Sequence, residues 1–234
     1  MKEFQASQRF AAWAVHVFTS TGIVSGFMAI LAIEQGAWQE AMLWMVACQL
    51  IDGIDGTLAR YFRVKEVLPF MDGTTIDQVI DFATYALIPA FFLYHASLVP
   101  DSMRLACAAI MLLAAALYYG KDGMISADFH FVGFPVMWNV VVFFLFFVVH
   151  LAPEWNAALI FFFAILHFVP LRYPYPSRMT SHQTPTLVLT TVAILASVYL
   201  VWIYPAWNAK VAALPVAGLG WYGYLTLRSS FPKR

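Results

Sequence analysis

Long apolar runs alternate with short polar connections along almost the whole chain. A helix that crosses a bilayer needs about 20 mostly apolar residues. Eight segments approach this length: 12–33, 37–62, 73–98, 103–120, 132–152, 155–171, 185–205 and 210–227. The pattern therefore predicts an all-α, polytopic integral membrane protein with about eight transmembrane helices. No linker or internal repeat divides the chain, so we expect a single domain over residues 1–234.

The composition agrees with a membrane protein. Hydrophobic residues make up 62% of the chain and charged residues 11%, whereas a soluble domain carries about 25% charged residues. The formal net charge is zero, which gives no electrostatic reason to expect a nucleic-acid partner. Cys48 and Cys107 stand singly in apolar runs and do not form a metal-binding spacing.

The distribution of lysine and arginine predicts the orientation, since these residues concentrate in cytoplasmic loops. With eight spans both termini lie on the same side of the membrane, and Arg104 and Lys210 fall on the opposite side. The other basic residues share the side of the termini: Lys2, Arg9, Arg60, Arg63, Lys65, Lys121, Arg172, Arg178, Arg228, Lys233 and Arg234. Both termini and the connection between the second and third spans are therefore predicted to be cytoplasmic.

Four aspartates lie around that same connection, within the stretch 51–82. Asp52 and Asp55 are three residues apart, and Asp77 and Asp81 are four apart. On a helix each spacing places both carboxylates on one face. The loop between them, residues 61–72, lets the two helices form a hairpin that brings all four carboxylates together.

Such a cluster needs a cation, because ionised carboxylates repel one another and are costly near a bilayer. Oxygen ligands without nearby histidine or cysteine favour Mg²⁺ or Mn²⁺. Four carboxylates suffice for two ions, the arrangement that stabilises attacking and leaving oxygens in phosphoryl transfer. Gly53, Gly56 and Gly73 allow a backbone or phosphate to approach closely, and Arg60 can hold a phosphate.

Two other interpretations of the aspartates remain open. They can simply end two helices in water, or they can form an ion relay in a transporter, where intramembrane acids are common. A relay should place acids deeper and on several helices. The clustering at one hairpin therefore favours the metal site.

The aspartate stretch also resembles the CDP-alcohol phosphatidyltransferase family. The family signature, D-x2-D-G-x2-A-R followed by a spacer and G-x3-D-x3-D, is matched at every fixed position: Asp52, Asp55, Gly56, Ala59, Arg60, Gly73, Asp77 and Asp81. The spacer, residues 61–72, is longer than is usual in the family, and eight helices are more than is common. Both departures resemble a bacterial subgroup whose members join CDP-diacylglycerol to choline directly.

The resemblance implies roles for the motif residues. Asp52, Asp55 and Asp77 would bind one divalent ion, Mn²⁺ or Mg²⁺, and Asp52, Asp77 and Asp81 a second. Asp81 would also be the general base for the alcohol. The CDP-lipid would lie against the remaining motif residues, Gly56, Ala59, Arg60 and Gly73. The implied location is the bacterial inner membrane with the active site facing the cytoplasm, and related enzymes commonly form homodimers.

Choline is a quaternary ammonium ion, which aromatic faces attract by cation–π interaction. Candidates for its pocket on the cytoplasmic side are Tyr118, Tyr119, Trp138 and Asn139. For the aromatic residues the alternative is anchoring at the membrane interface. Two further alternatives concern the whole chain: the same chemistry with serine, inositol or glycerol phosphate as the alcohol, or a membrane transporter.

Overall fold

The computed structural model describes residues 4–176, 178–179 and 182–231, so the predicted positions of Lys2, Lys233 and Arg234 lie outside the described residues. Almost all regular structure is helical. α4 and α5 form one continuous helix through a π-helical turn, Phe82–Leu87, and a second π-helical turn, Phe144–Val148, extends α7. The helices are α1 Ala6–Glu34, α2 Trp38–Tyr61, α3 Val64–Val67, α4 Gly73–Asp81, α5 Ile88–His95, α6 Arg104–Tyr119, α7 Trp138–Phe143, α8 Pro153–Leu166, α9 Gln183–Ile203 and α10 Ala209–Ser230.

The predicted all-α, polytopic membrane architecture is confirmed. Among the described residues, five helical stretches are long and apolar enough to cross a membrane: Ala6–Glu34, Trp38–Tyr61, Gly73–His95, Asp101–Tyr119 and Gln183–Ile203. Helices also occupy the other three predicted segments, but Trp138–Val148 and Pro153–Leu166 are short, and α10, which contains Pro215, is not among the five stretches. The predicted count of eight spans is therefore not confirmed.

A small antiparallel pair of strands, absent from the sequence-based prediction, lies at one end of the bundle. β1, His130–Val132, pairs with β2, Arg172–Pro174. The Lys121 ammonium donates to the Val132 carbonyl oxygen at 3.1 Å, and the Arg172 backbone N–H donates to Ser230 Oγ at 2.8 Å. These contacts join the α6–α7 connection, the α8–α9 connection and the end of α10.

α1 packs closely against the α4–α5 helix through two glycines four residues apart. A Cβ atom on Gly26 would lie 2.6 Å from Ile88 Cδ1, and one on Gly22 would lie 3.1 Å from Ile80 Cγ2. Small residues at this spacing let helix backbones approach one another in membrane proteins. The close packing places the buried Thr19, further toward the start of α1, beside the aspartate-bearing helices.

The connection between α2 and α4, predicted as a loop, contains a turn of helix. α3 buries Val64 and Val67, which cluster with Ala12 and Val15 of α1. Burial of these apolar side chains stabilises the connection and ties it to α1. The longer spacer between the two aspartate-bearing helices is thus folded and packs against α1.

Replacing Gly133 with alanine is expected to destabilise the protein strongly. Gly133 has a φ of +92°, and a Cβ atom there would lie 2.0 Å from the carbonyl oxygen of His167. Backbone strain and overpacking each cost about 1–3 kcal/mol. Together they cost about 2–6 kcal/mol, so the thermal midpoint in detergent should fall by about 4–24 °C, at about 2–4 °C per kcal/mol for a chain of this size.

Gly123 provides the matched control. Its φ is +73°, but a Cβ atom would meet nothing within 4 Å. Gly123→Ala should therefore show the cost of backbone strain alone and a smaller fall in midpoint. Equal falls for both variants would contradict the steric argument.

Candidate metal site

The metal site is built from the second half of α2 and from α4. α2 carries Asp52 and Asp55, and α4 carries Asp77 and Asp81. One carboxylate oxygen from each of Asp52, Asp55 and Asp77 lies within 4.8 Å of the other two. Ligand oxygens of an octahedral Mg²⁺ lie about 2.9–4.2 Å apart when each is about 2.1 Å from the ion. The three carboxylates are thus close enough to hold a metal ion, and oxygen-only donors suit a divalent one.

Asp81 ends α4 beside this group of three. Its carboxylate lies close to that of Asp52 and interacts electrostatically with Asp52, Asp77 and Asp55. The structure therefore brings together the residues assigned to the first ion and places Asp81 next to them. The second ion, assigned to Asp52, Asp77 and Asp81, remains a prediction.

Two hydroxyl groups that sequence reasoning missed contact the aspartates. The Tyr85 phenol donates to Asp52 Oδ2 at 2.8 Å, and the Thr19 hydroxyl hydrogen-bonds with Asp55. Tyr85 follows Asp81 by four residues, a helical spacing that was available as a signal. For Thr19 the sequence offers none, because only the packing of α1 brings it to the site.

The predicted nucleotide-binding residues lie along the same two helices. Arg60 folds back so that its Nη1 atom would lie 3.3 Å from a Cβ atom on Gly56, and its Nη2 atom donates to Thr57 Oγ1 at 3.1 Å. Arg60 is exposed and Ala59 is partly buried next to α3. Within the described ranges Arg60 forms no ion pair with a carboxylate, so its guanidinium is available to a phosphate.

Gly73 begins α4 and packs against α1. A Cβ atom on Gly73 would lie 3.2 Å from Cε1 of the buried His16, so alanine here would force the imidazole aside. The residue before it, Asp72, caps α4 by accepting hydrogen bonds from the Thr74 N–H at 3.0 Å and the Thr75 hydroxyl at 2.8 Å. These hydrogen bonds lower the pKa of Asp72. The hydrogen-bond donors of Thr74 and Thr75 at the start of α4 are therefore already satisfied by the Asp72 carboxylate.

The four proposed choline-binding residues face two different places. Tyr119 interacts electrostatically with the carboxylates of Asp81, Asp52 and Asp77, and its ring meets Phe82 edge-on at 6.4 Å between centroids. The other three are buried on another side of α6 and at the start of α7: Tyr118, Trp138 and Asn139. Only Tyr119 is thus placed directly at the aspartates.

Tyr118 and Trp138 converge on His167, which sequence reasoning did not assign to the site. Their ring centroids lie 5.5 and 5.2 Å from that of His167, and Phe134 stacks on the same imidazole at 5.5 Å. The Tyr118 hydroxyl, the Trp138 indole N–H and both His167 nitrogens are buried without a hydrogen-bond partner among the described residues. Such groups are rare in folded proteins, where water or a ligand usually satisfies them.

Comparison with known proteins adds a consistent set of relatives, although no family model matches the chain. A phosphatidylcholine synthase of Pseudomonas aeruginosa is 36% identical over 195 residues, 83% of this chain and 82% of the relative. That of Rhizobium meliloti is 34% identical over 225 residues, 95% and 92% of the two chains. That of Legionella pneumophila is 32% identical over 238 residues, 98% and 92%.

These similarities cover 83% to 98% of the chain and so extend well beyond the aspartate hairpin. The identities exceed 30%, and the matched region spans more than four fifths of each of these relatives. With its membrane helices and its clustered aspartates, the chain belongs to the phosphatidylcholine synthase family.

Proposed function

We propose that this protein transfers the phosphatidyl group of CDP-diacylglycerol to choline and releases cytidine monophosphate. The observation that carries the proposal is the meeting of Asp52, Asp55 and Asp77 within 4.8 Å in a chain whose relatives are named phosphatidylcholine synthase. The alternative alcohols serine, inositol and glycerol phosphate have no such support.

The proposed reaction is a single displacement at phosphorus. The choline oxygen attacks the β-phosphorus, which carries the diacylglycerol, and the bond from that phosphorus to the cytidine monophosphate oxygen breaks. Asp81 accepts the proton of the choline hydroxyl as the new bond forms, as expected of a positioned general base. When bound, Mn²⁺ or Mg²⁺ would neutralise the diphosphate and the charge developing on the leaving group.

The chain's own residues would hold the nucleotide end of the lipid. Arg60 has an exposed guanidinium beside Gly56, where a phosphate can accept its hydrogen bonds. Gly56, Ala59 and Gly73 present small surfaces along α2 and the start of α4, which allow the cytidine diphosphate to approach the backbone. The aspartates on the same two helices then lie next to its phosphates.

The choline pocket would begin at Tyr119, whose ring lies beside the aspartates. Its aromatic face can attract the ammonium group, and the neighbouring carboxylates favour a cation. Tyr118, Trp138 and Asn139 lie on another side of α6 and at the start of α7, so they would contact choline only where its ammonium group extends away from the aspartates.

The proposed location is the bacterial inner membrane, with the site facing the cytoplasm. Its support is the charge asymmetry between the two sides of the predicted helices. Basic residues occur near the ends of several helices on the predicted cytoplasmic side, among them Arg60 of α2 and Arg228 of α10. Arg104 and Lys210 lie near the starts of α6 and α10, on the predicted opposite side. A cytoplasmic site gives a soluble alcohol access from water and a lipid access from the bilayer.

The test of the proposed function is an assay of the purified protein with CDP-diacylglycerol, Mn²⁺ and one alcohol at a time. We expect phosphatidylcholine and cytidine monophosphate with choline, and no lipid product with serine, inositol or glycerol phosphate. A product formed only with another alcohol would show that the acceptor is wrong. If no alcohol gives cytidine monophosphate, the transferase assignment itself is wrong.

Replacing Tyr119 with alanine is expected to raise the KM for choline about 2- to 30-fold. This range corresponds to the loss of one cation–π interaction of about 0.5–2 kcal/mol. The KM for CDP-diacylglycerol should change less, because the ring is proposed to contact the alcohol. Both constants are measured by varying one substrate at saturation of the other.

Tyr94 provides a control for the loss of an aromatic ring. It lies on α5, is 41% exposed and contacts the neighbouring His95 ring at 5.2 Å. Tyr94→Ala should leave the choline KM unchanged. An unchanged choline KM in Tyr119→Ala would remove Tyr119 from the pocket.

A further inference from the structure

Tyr85 is the polar side chain that links the π-helical turn to the metal site. Its phenol oxygen lies 2.8 Å from Asp52 Oδ2, and the two residues are 33 positions apart in the chain. The phenol is a donor and the ionised carboxylate an acceptor, so this is a charge-assisted hydrogen bond of the stronger kind. The contact also joins α2 to the helix that carries Asp77 and Asp81.

The position of Tyr85 follows from the continuous helix that begins with α4. Asp81 is the last residue of α4, and Tyr85 lies four residues later within Phe82–Leu87. Residues four apart lie on the same side of a helix, so the Asp81 carboxylate and the Tyr85 phenol both reach Asp52. π-helical turns are rare and occur often at functional sites.

We infer that Tyr85 is a positioning residue of the metal site, which fixes the Asp52 carboxylate for metal binding through its phenol hydrogen bond. The inference rests on the proposed metal site and adds to it a residue outside the aspartate motif. A carboxylate has two oxygens with lone pairs to share, so Asp52 can accept the phenol and still bind a cation. Partners that orient a ligand in this way commonly change metal affinity 10- to 100-fold when removed.

Asp52, like Asp77, is assigned to both proposed ions. It belongs to the group of three carboxylates that meet within 4.8 Å, and it also lies next to Asp81. A loss of orientation at Asp52 would therefore weaken the binding of both proposed ions. Without Tyr85, its side chain would have to lose its rotational freedom when the metal binds, at the expense of affinity.

If the Tyr85 phenol only joined two helices, its loss should affect Mn²⁺ binding no more than the loss of any similar phenol. Tyr222 allows this structural role to be separated from the positioning role. Tyr222 shares a hydrogen bond of 2.7 Å with Thr190 Oγ1, between α10 and α9. Both phenols are partly buried and both join two helices, but only Tyr85 contacts a proposed metal ligand. Tyr→Phe at either position removes one hydroxyl and keeps the ring.

The experiment measures Mn²⁺ binding to the full-length protein in detergent, without lipid or alcohol, from the electron paramagnetic resonance signal of free Mn²⁺. We expect Tyr85→Phe to raise the dissociation constant at least about tenfold and Tyr222→Phe to leave it unchanged. Thermal unfolding gives a second readout within each variant. At the same Mn²⁺ concentration, the midpoint should rise less in Tyr85→Phe than in the wild type or Tyr222→Phe.

Equal Mn²⁺ affinity in Tyr85→Phe and the wild type would overturn the inference, as would equal losses in Tyr85→Phe and Tyr222→Phe. The rise in midpoint is measured within each variant, with and without Mn²⁺. A Tyr85→Phe protein that is less stable without metal therefore still shows whether Mn²⁺ stabilises it less than it stabilises the wild type. A wild-type protein that binds Mn²⁺ but makes no phosphatidylcholine would overturn the proposed function and leave the role of Tyr85 standing.

Discussion

Replacing Asp81 with asparagine is expected to lower choline transfer about 10²- to 10⁴-fold. Asparagine keeps the size of the side chain but cannot accept the proton of the choline hydroxyl, and a general base contributes about this factor. Asp52, Asp55 and Asp77, which meet without Asp81, should still support part of the Mn²⁺-dependent binding of CDP-diacylglycerol. The rate of phosphatidylcholine formation and the equilibrium binding of the lipid are the two measurements.

Asp72→Asn is the matched control for this substitution. Asp72 also lies at the aspartate hairpin, but its carboxylate caps α4, and asparagine is an equally good N-cap residue. Transfer by Asp72→Asn should therefore stay close to that of the wild type. Near-normal turnover in Asp81→Asn would exclude Asp81 as the base. Loss of both turnover and lipid binding would assign Asp81 to metal binding alone.

Removing divalent ions with EDTA is expected to abolish transfer, by about 1000-fold or more. Metal stabilisation of transition-state charge contributes several kcal/mol, and about 1.4 kcal/mol corresponds to tenfold in rate. Added Mn²⁺ or Mg²⁺ should restore the rate, since the three clustered ligands are carboxylates. The measurement is phosphatidylcholine formation as a function of free metal concentration.

The same titration tests how many ions the site holds. Two ions bound per chain in the presence of CDP-diacylglycerol would support the assignment of Asp81 to a second ion, and one would limit the site to Asp52, Asp55 and Asp77. Ca²⁺ is a useful comparison, because its larger size and longer oxygen distances suit a more open site. Full activity after complete removal of divalent ions would contradict the metal mechanism.

Much of the metal site was predictable because its residues lie on two helices that are close in sequence. The spacings from Asp52 to Asp55 and from Asp77 to Asp81 determine a shared face on each helix, whatever the rest of the fold does. A short connection then requires the two helices to be neighbours. The structure confirms the meeting of Asp52, Asp55 and Asp77.

The supporting hydroxyls were harder to predict because they depend on distant packing. Thr19 lies on α1 and Asp55 on α2, so their contact depends on how these two helices pack together. The two strands, β1 and β2, were likewise missed, since three-residue segments in separate connections have too little periodic pattern to be recognised. The same applies to α3, a single turn that forms because its apolar side chains are buried against α1.

The predicted choline residues show the limit of reasoning from adjacency. Tyr118 and Tyr119 are neighbours in sequence, but successive helical residues point about 100° apart. Tyr119 therefore lies beside the aspartates, whereas Tyr118 packs with Trp138 around His167. Which of the two rings meets the site depends on how α6 is rotated in the bundle, and the local sequence does not specify that rotation.

The sequence by itself determined the membrane class, the paired aspartate faces and the oxygen-ligand chemistry, because composition and helical periodicity are local properties. Only the tertiary structure decided which side chains support those aspartates. Asp52 acquires the Tyr85 phenol and Asp55 the Thr19 hydroxyl through contacts between helices. Such contacts depend on interhelical distance and rotation, which are set by the packing of the whole bundle and not by any one segment.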